Sequence, residues 1–252
     1  VPPAGAPRGV VRPVGHDVRQ ARHAAPLLPL RILADRGRAG AYLAVATAVV
    51  GAFGVFLTLT YYLQVVAHFS PMRTGLAFLP MAVANSASGY LVGARLTRRV
   101  PARLLISAGL LIAAAGLAAL TRLDAGSGYA TAVVPVEVLL GIGMGAVFPP
   151  AFSLATAGVS PREAGVAAAV VNAASQMGGS IGTAVVNTVA IGATAGYLRE
   201  HGPAASRAGA LVHGYTTGAT VSALALTAVA VVVMLLIRTP PSSDAATDHT
   251  SR

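Results

Sequence analysis

Charged residues are absent from most of this chain and crowd at the edges of six long apolar stretches. Arg38 to Arg73, Arg73 to Arg95 and Arg103 to Arg122 bound the first three. Asp124 to Arg162, interrupted only by Glu137, bounds the fourth, and Glu163 to Arg199 and Arg207 to Arg238 bound the last two. A helix crossing a hydrocarbon layer of about 30 Å takes about 20 apolar residues, so each stretch holds one crossing. Helices are expected near 41–65, 75–95, 103–121, 129–150, 164–190 and 215–237. None of the stretches alternates apolar and polar residues over about 10 positions, as the strands of a membrane barrel do. The expected fold class is an all-α membrane protein with six transmembrane helices.

Composition excludes the competing classes. Only 10% of residues are charged, against about 25% in a soluble domain, too few to cover an aqueous surface. The chain has no Cys, which rules out disulfide scaffolds, cysteine-based zinc or iron–sulfur sites and thiol nucleophiles. Its net charge of +10 would fit a nucleic-acid binder. The Arg residues, however, stand at the ends of apolar runs instead of forming a patch, so no nucleic-acid partner is expected. The implied partner is a lipid bilayer, in the cell membrane.

Arginine placement orients the helices. Seven Arg precede the first helix and four (Arg95, Arg98, Arg99, Arg103) lie between the second and third, with Arg162, Arg238 and Arg252 on the same side. The alternate loops hold only Arg73, Arg122, Arg199 and Arg207. Both termini are therefore expected in the cytoplasm. Residues 1–38 mix Pro, Gly, Ala and Arg without helical periodicity and are expected to be a disordered linker. Residues 39–238 form the six-helix domain and 239–252 a disordered polar tail. No signal peptide is visible, and a first residue of Val in place of Met points to a literal GTG start or to a longer parent chain.

An internal repeat is weakly visible. A shift of 90 residues lays Ser70-Pro71 on Ser160-Pro161, Gly75 on Gly165, and Ala77, Ala84 and Gly89 on Ala167, Ala174 and Gly179. It superposes the second helix on the fifth, which cross in opposite directions. Three helices repeated with inverted topology is a transporter plan.

Several residues could carry chemistry. Glu137 is the only acid inside an expected span. About eight residues in from Tyr129, at about 1.5 Å per residue, it lies roughly 12 Å deep. An ionisable group there is functional by default, as a proton carrier or a counter-charge for a cationic substrate; the alternative is a neutral, hydrogen-bonded structural Glu. Tyr61, Gln64, Asn85, Asn172 and Gln176 are candidates to line an aqueous cavity, the last two as an i, i+4 pair on one face. The pairs Gly89/Gly93, Gly141/Gly145 and Gly178/Gly182 have the G-x-x-x-G spacing of close helix packing. Pro149-Pro150 is expected to kink or stop the fourth helix. The segment Gly141–Ala146, with Glu163 downstream, matches a loose dinucleotide pattern. That pattern needs a strand–turn–helix setting, which a membrane helix does not provide. The six His residues lack metal-ligand spacing, no Ser/His/Asp set converges, and no phosphate loop is present. No enzyme chemistry, metal or cofactor is expected.

From about Pro26 onward the chain resembles the C-terminal six helices of a major facilitator superfamily transporter, and most of all the fourteen-helix drug:proton antiporter branch. Pro29-Leu30-Arg31, Tyr61-Tyr62-Leu63-Gln64, Ser70-Pro71 with Gly75–Pro80, Gly141–Pro150 running into Gly158-Val159, and Asn172-x-x-x-Gln176-x-Gly178-Gly179-x-x-Gly182 carry the resemblance. Gly89–Arg103, with Gly93, Arg95, Arg98 and Arg99, resembles the C-half counterpart of the family's cytoplasmic helix-2/3 gating motif, but without the Asp of its N-half copy. The resemblance implies the C-terminal half of a proton-coupled efflux antiporter that works by alternating access on small amphipathic substrates. It also implies a missing N-terminal half, in the same gene or a separate chain. A metabolite uptake symporter, a non-transporting truncated fragment and a half-transporter that pairs with itself or a separate half remain open readings.

Overall fold

The computed structural model describes residues 35–122, 128–202 and 206–237, apart from the side chains of residues 161, 162 and 208. The linker expected over residues 1–38 lies outside the described residues except for its last four, and the polar tail lies wholly outside them.

Every described regular element is helical. Helix α1 (Arg36–Tyr61) starts earlier than expected because Asp35 caps it: its carboxylate accepts from the Arg38 N–H at 2.9 Å, satisfying one of the orphan donors of the first turn. A π-helical turn, Tyr62–Val66, extends α1. The second span is α2 (Pro71–Ala77) and α3 (Leu79–Leu91), continued by a π turn at Val92–Leu96. The break at Phe78 follows from Pro80, which has no N–H to continue the ladder. Then come α4 (Ala102–Leu120), a π turn at Tyr129–Val133 leading into α5 (Val134–Thr156), α6 (Pro161–His201) and α7 (Arg207–Leu236). Six of these helical spans are long and apolar enough to cross a membrane.

Two expectations need correction. The fifth span does not end near 190: α6 runs on to His201, about 60 Å in all, and stops at Gly202, whose backbone is left-handed at φ 56°. No proline interrupts residues 191–201, so nothing breaks the helix where it leaves the hydrocarbon. Of the two outcomes expected at Pro149-Pro150, the stop does not occur, because α5 passes through both and ends at Thr156. Packed neighbouring helices and local adjustment allow a membrane helix to absorb the lost donors.

The core lies where α1, α4 and α5 meet, built from residues such as Leu59, Leu63, Leu110, Leu117 and Leu140, with α7 adding Leu226 and Val233. The most apolar windows of the first, third and fourth spans are 50%, 56% and 56% buried, against 11% for the second and 17% for the fifth. The two spans related by the sequence repeat are thus the two left most open.

Most of the packing follows the inverted repeat. Helix α3 of the first three-helix unit packs on α5 of the second, and α6 of the second packs on α1 of the first. Helix α4 lies on α5 as α7 lies on α1, and α4 meets α7 across the middle. The backbone repeats too. Ser70 and Ser160, 90 residues apart, cap their helices at φ −66°, ψ 157° and φ −64°, ψ 154°. Two residues ahead of each serine stands a left-handed residue, His68 at φ 54° and Gly158 at φ 66°. His68 is the one described non-glycine residue with positive φ, a conformation that costs most side chains energy.

Candidate functional site

The glycine pairs set how closely the exchanged helices approach. A Cβ on Gly141 or Gly145 would collide with the α3 backbone at Met81 and Asn85, and one on Gly178 with the carbonyl oxygen of Ala46 in α1. Gly182 would place its Cβ 2.7 Å from the Cα of Val50. Gly89 faces the Gly145 carbonyl at 3.6 Å and Gly93 faces Pro149 at 3.5 Å, both ordinary contact distances. Two of the three expected pairs therefore sit where only hydrogen fits, and Gly89/Gly93 sits where a methyl would be tolerated. Polar side chains join the same contacts. Ser88 donates to the Ile142 carbonyl at 2.8 Å, Ser107 to Ala230 at 3.0 Å, and Tyr129 to Ala77 at 2.7 Å.

Glu137 lies in the first turn of α5 and is fully buried, at 0% exposure, between core residues Val136 and Leu140 of the same helix. Both its carboxylate oxygens lack a hydrogen-bond partner among the described residues. A charged carboxylate in this position costs several kcal/mol, whereas the protonated form costs far less.

The expected cavity residues do not gather around Glu137. Asn85 lines a half-open cleft of about 260 Å³ between α1, α3 and α5, together with Ser86, Met81 and Met144. Asn172 and Gln176 are exposed on α6, and Ser180 and Asn187 continue their stripe along the same helical face. Gln64 is exposed in the π turn that ends α1. Tyr61 is half-buried, its ring stacked on Tyr215 at 5.0 Å, and its hydroxyl has no partner among the described residues. Arg95, Arg98 and Arg99 are exposed at the end of the second span. At that same end Arg38 donates to the Ala157 carbonyl at 2.9 Å, tying the start of α1 to the loop after α5.

Sequence reasoning missed the outer stretch of α6 and its contacts with α7. Asn187, Ile191, Thr194 and Leu198 share the face begun by Asn172 and Gln176, and Arg207, Leu211 and Tyr215 face them at i, i+4 spacing. Ending the fifth helix near 190 hid that continuity; the absence of any proline before Gly202 was the available signal.

Comparison with known proteins agrees with this architecture. The family model described as the Major Facilitator Superfamily matches residues 3–183. The chain belongs to the major facilitator superfamily. This superfamily comprises membrane transporters, not enzymes, and its fold accounts for the six helices in two inverted units. A puromycin resistance protein of Streptomyces alboniger is 46% identical over 242 residues, covering 94% of this chain and 48% of that protein. A cephamycin export protein of Amycolatopsis lactamdurans is 36% identical over 79% of this chain and 41% of its own length. A probable actinorhodin transporter of Streptomyces coelicolor is 34% identical over 71% of this chain and 32% of its own length. The chain thus spans less than half the length of these major facilitator relatives. It is a multi-pass membrane protein.

Proposed function

We propose that this chain is the C-terminal six-helix half of a proton-coupled efflux transporter for small amphipathic compounds, working by alternating access. The observation that carries this reading is the open pair of repeat-related helices. Spans two and five leave most of their surface uncovered, and span five turns the polar residues Asn172, Gln176 and Ser180 outward. Polar groups inside a bilayer face protein or water, not lipid, so the stripe calls for a covering half and a wet cavity between the two. The match to less than half the length of each relative supports the same partner.

In this mechanism Glu137 carries the proton, and the glycine contacts of α5 with α3 and of α6 with α1 allow the helices to slide as the halves rock. The arginine-rich end, with Arg36, Arg38, Arg95, Arg98 and Arg99, faces the cytoplasm, and so do both termini. The exposed Arg95, Arg98 and Arg99 serve as the cytoplasmic gating cluster.

The test uses everted membrane vesicles from cells making the transporter with both halves, loaded by an imposed pH gradient and read by ethidium uptake. Wild-type protein should accumulate ethidium in proportion to the gradient, and Glu137→Gln should abolish this at equal expression. Gradient-driven uptake that survives Glu137→Gln would remove the residue from the coupling step. Uptake indifferent to the gradient would overturn the proton-coupled reading.

A further inference from the structure

A cleft of about 310 Å³ opens between α6 and α7, and Glu137 is not among the residues that line it. Asn187, Ile191 and Leu198 line it from α6, and Arg207, Leu211 and Tyr215 from α7. Its walls are more apolar than the sequence implies, because the Thr194 hydroxyl is spent on the Ala190 carbonyl at 2.7 Å. Tyr215 closes one side with its ring, braced by the stack on Tyr61 at 5.0 Å.

Its charge is one-sided. Arg207 is exposed at the mouth, and no carboxylate pairs with it among the described residues. Near the end of α6, the Nε–H of Arg199 donates to the carbonyl of Ala195, a wall residue, at 3.3 Å. Among the described residues, no acidic side chain lines the cleft. At the inner end the Asn187 amide is half-buried and has no hydrogen-bond partner among the described residues.

The level of the cleft also matters. Helix α7 has 30 residues, about 45 Å, which is the thickness of a bilayer with its headgroups, about 40–45 Å. Arg207, its first residue, therefore stands at the membrane–water boundary, where amphipathic molecules concentrate. The volume lies at the lower end of the range for small-molecule sites, about 300–1,000 Å³, and suits one compact ring system better than the two chains of a diacyl lipid.

We propose that this cleft binds a small amphipathic organic anion, its apolar body against Ile191, Leu198, Leu211 and Tyr215 and its carboxylate or sulfonate on the Arg207 guanidinium. Asn187 supplies a second polar contact at the inner end. Since it stands on the cleft's own shape and charge, the assignment holds whether or not the chain takes part in efflux.

The test is photolabelling of the full chain in phosphatidylcholine proteoliposomes with 4-benzoylbenzoate, with cross-links mapped by mass spectrometry. Cross-links should fall on residues 187–198 and 207–215, and excess soluble naphthalene-2-sulfonate should suppress them. The neutral 4-benzoylbenzamide should label about tenfold less, as expected for loss of a charge-assisted contact. R207Q should bring carboxylate labelling down to the amide level and R207K should keep most of it, both at a surface position that leaves folding intact. L211W, which fills the cleft, should remove labelling by either probe. Equal labelling by acid and amide, or labelling unchanged in R207Q, overturns the proposal. Labelling suppressed by added phosphatidylglycerol but not by the soluble sulfonate assigns the cleft to lipid and overturns it too.

Discussion

Replacing Gly178 with Ala puts a methyl group where α6 meets α1. The new Cβ would stand 2.7 Å from the Cα of Ala46 and 2.8 Å from its carbonyl carbon, where ordinary contacts begin at 3.4 Å. The obstacle is backbone, the Ala46 carbonyl oxygen nearest of all, so no side chain can swing aside and the helices must separate locally by about 1 Å. Overpacking of this kind costs about 1–3 kcal/mol. The same helix supplies its own control, because a Cβ on Gly192 meets nothing within 4 Å. Gly192→Ala should therefore stabilise α6 by about 0.5–1 kcal/mol through reduced backbone entropy alone. Gly178→Ala gains the same entropic term, so the two alanines should differ by the overpacking cost alone, about 1–3 kcal/mol, with Gly178→Ala the less stable. Titrating the chain from mixed micelles into sodium dodecyl sulfate, followed by circular dichroism at 222 nm, measures both. If both substitutions move the midpoint in the same direction, close approach at Gly178 does not hold α6 to α1.

His68→Gly should stabilise the chain by about 1 kcal/mol in the same titration by relieving its left-handed backbone, and Gly158→Ala should cost a similar amount at the repeat-related site. Tyr129→Phe removes the hydrogen bond to the Ala77 carbonyl and should cost about 0.5–1.5 kcal/mol, with no effect on the helix content measured by circular dichroism. Glu137→Met, similar in length and without unpartnered oxygens, should raise stability by about 1–3 kcal/mol while abolishing pH-driven ethidium transport. A Glu137→Met variant no more stable than the parent would mean that the carboxyl is satisfied in the membrane.

The six crossings were legible because charge placement and the thickness of a bilayer leave few alternatives, and Arg38, Arg73 and Arg103 mark the edges plainly. Ends were harder to read. Hydropathy shows where a helix leaves lipid but not where its hydrogen bonds stop, so α6 ran eleven residues beyond the expected boundary at 190. The prolines at 149 and 150 misled for a related reason, since their cost depends on packing that lies elsewhere in the chain. The repeat was faint in a sequence rich in Ala and Gly, and became plain only through backbone angles at His68, Ser70, Gly158 and Ser160. Glu137 stood out as the lone acid within a span, but its lack of a hydrogen-bond partner among the described residues is a property of three dimensions. Asn85, Asn172 and Gln176 were found by residue type, whereas their separation into a half-open cleft and an open face was not readable along the chain.

The exchange of helices between the two units has a consequence for how this protein is made. Helix α3 finds its close partner in α5, and α1 finds its own in α5, α6 and α7, all in the second unit. Neither three-helix unit can complete its packing alone, so during synthesis α1 and α3 must wait in the membrane while the ribosome adds the later helices. The gap between Asn85 and Gly145, or between Ala46 and Gly178, is many seconds of translation at about 5–20 residues per second. Over that interval the polar and small-residue faces of α1 and α3 have no mate of their own and are open to insertion factors, to lipid and to quality-control proteases. Biogenesis of such a chain is thus limited by the arrival of its last third, and a stop codon before α6 strands helices that are sound in themselves.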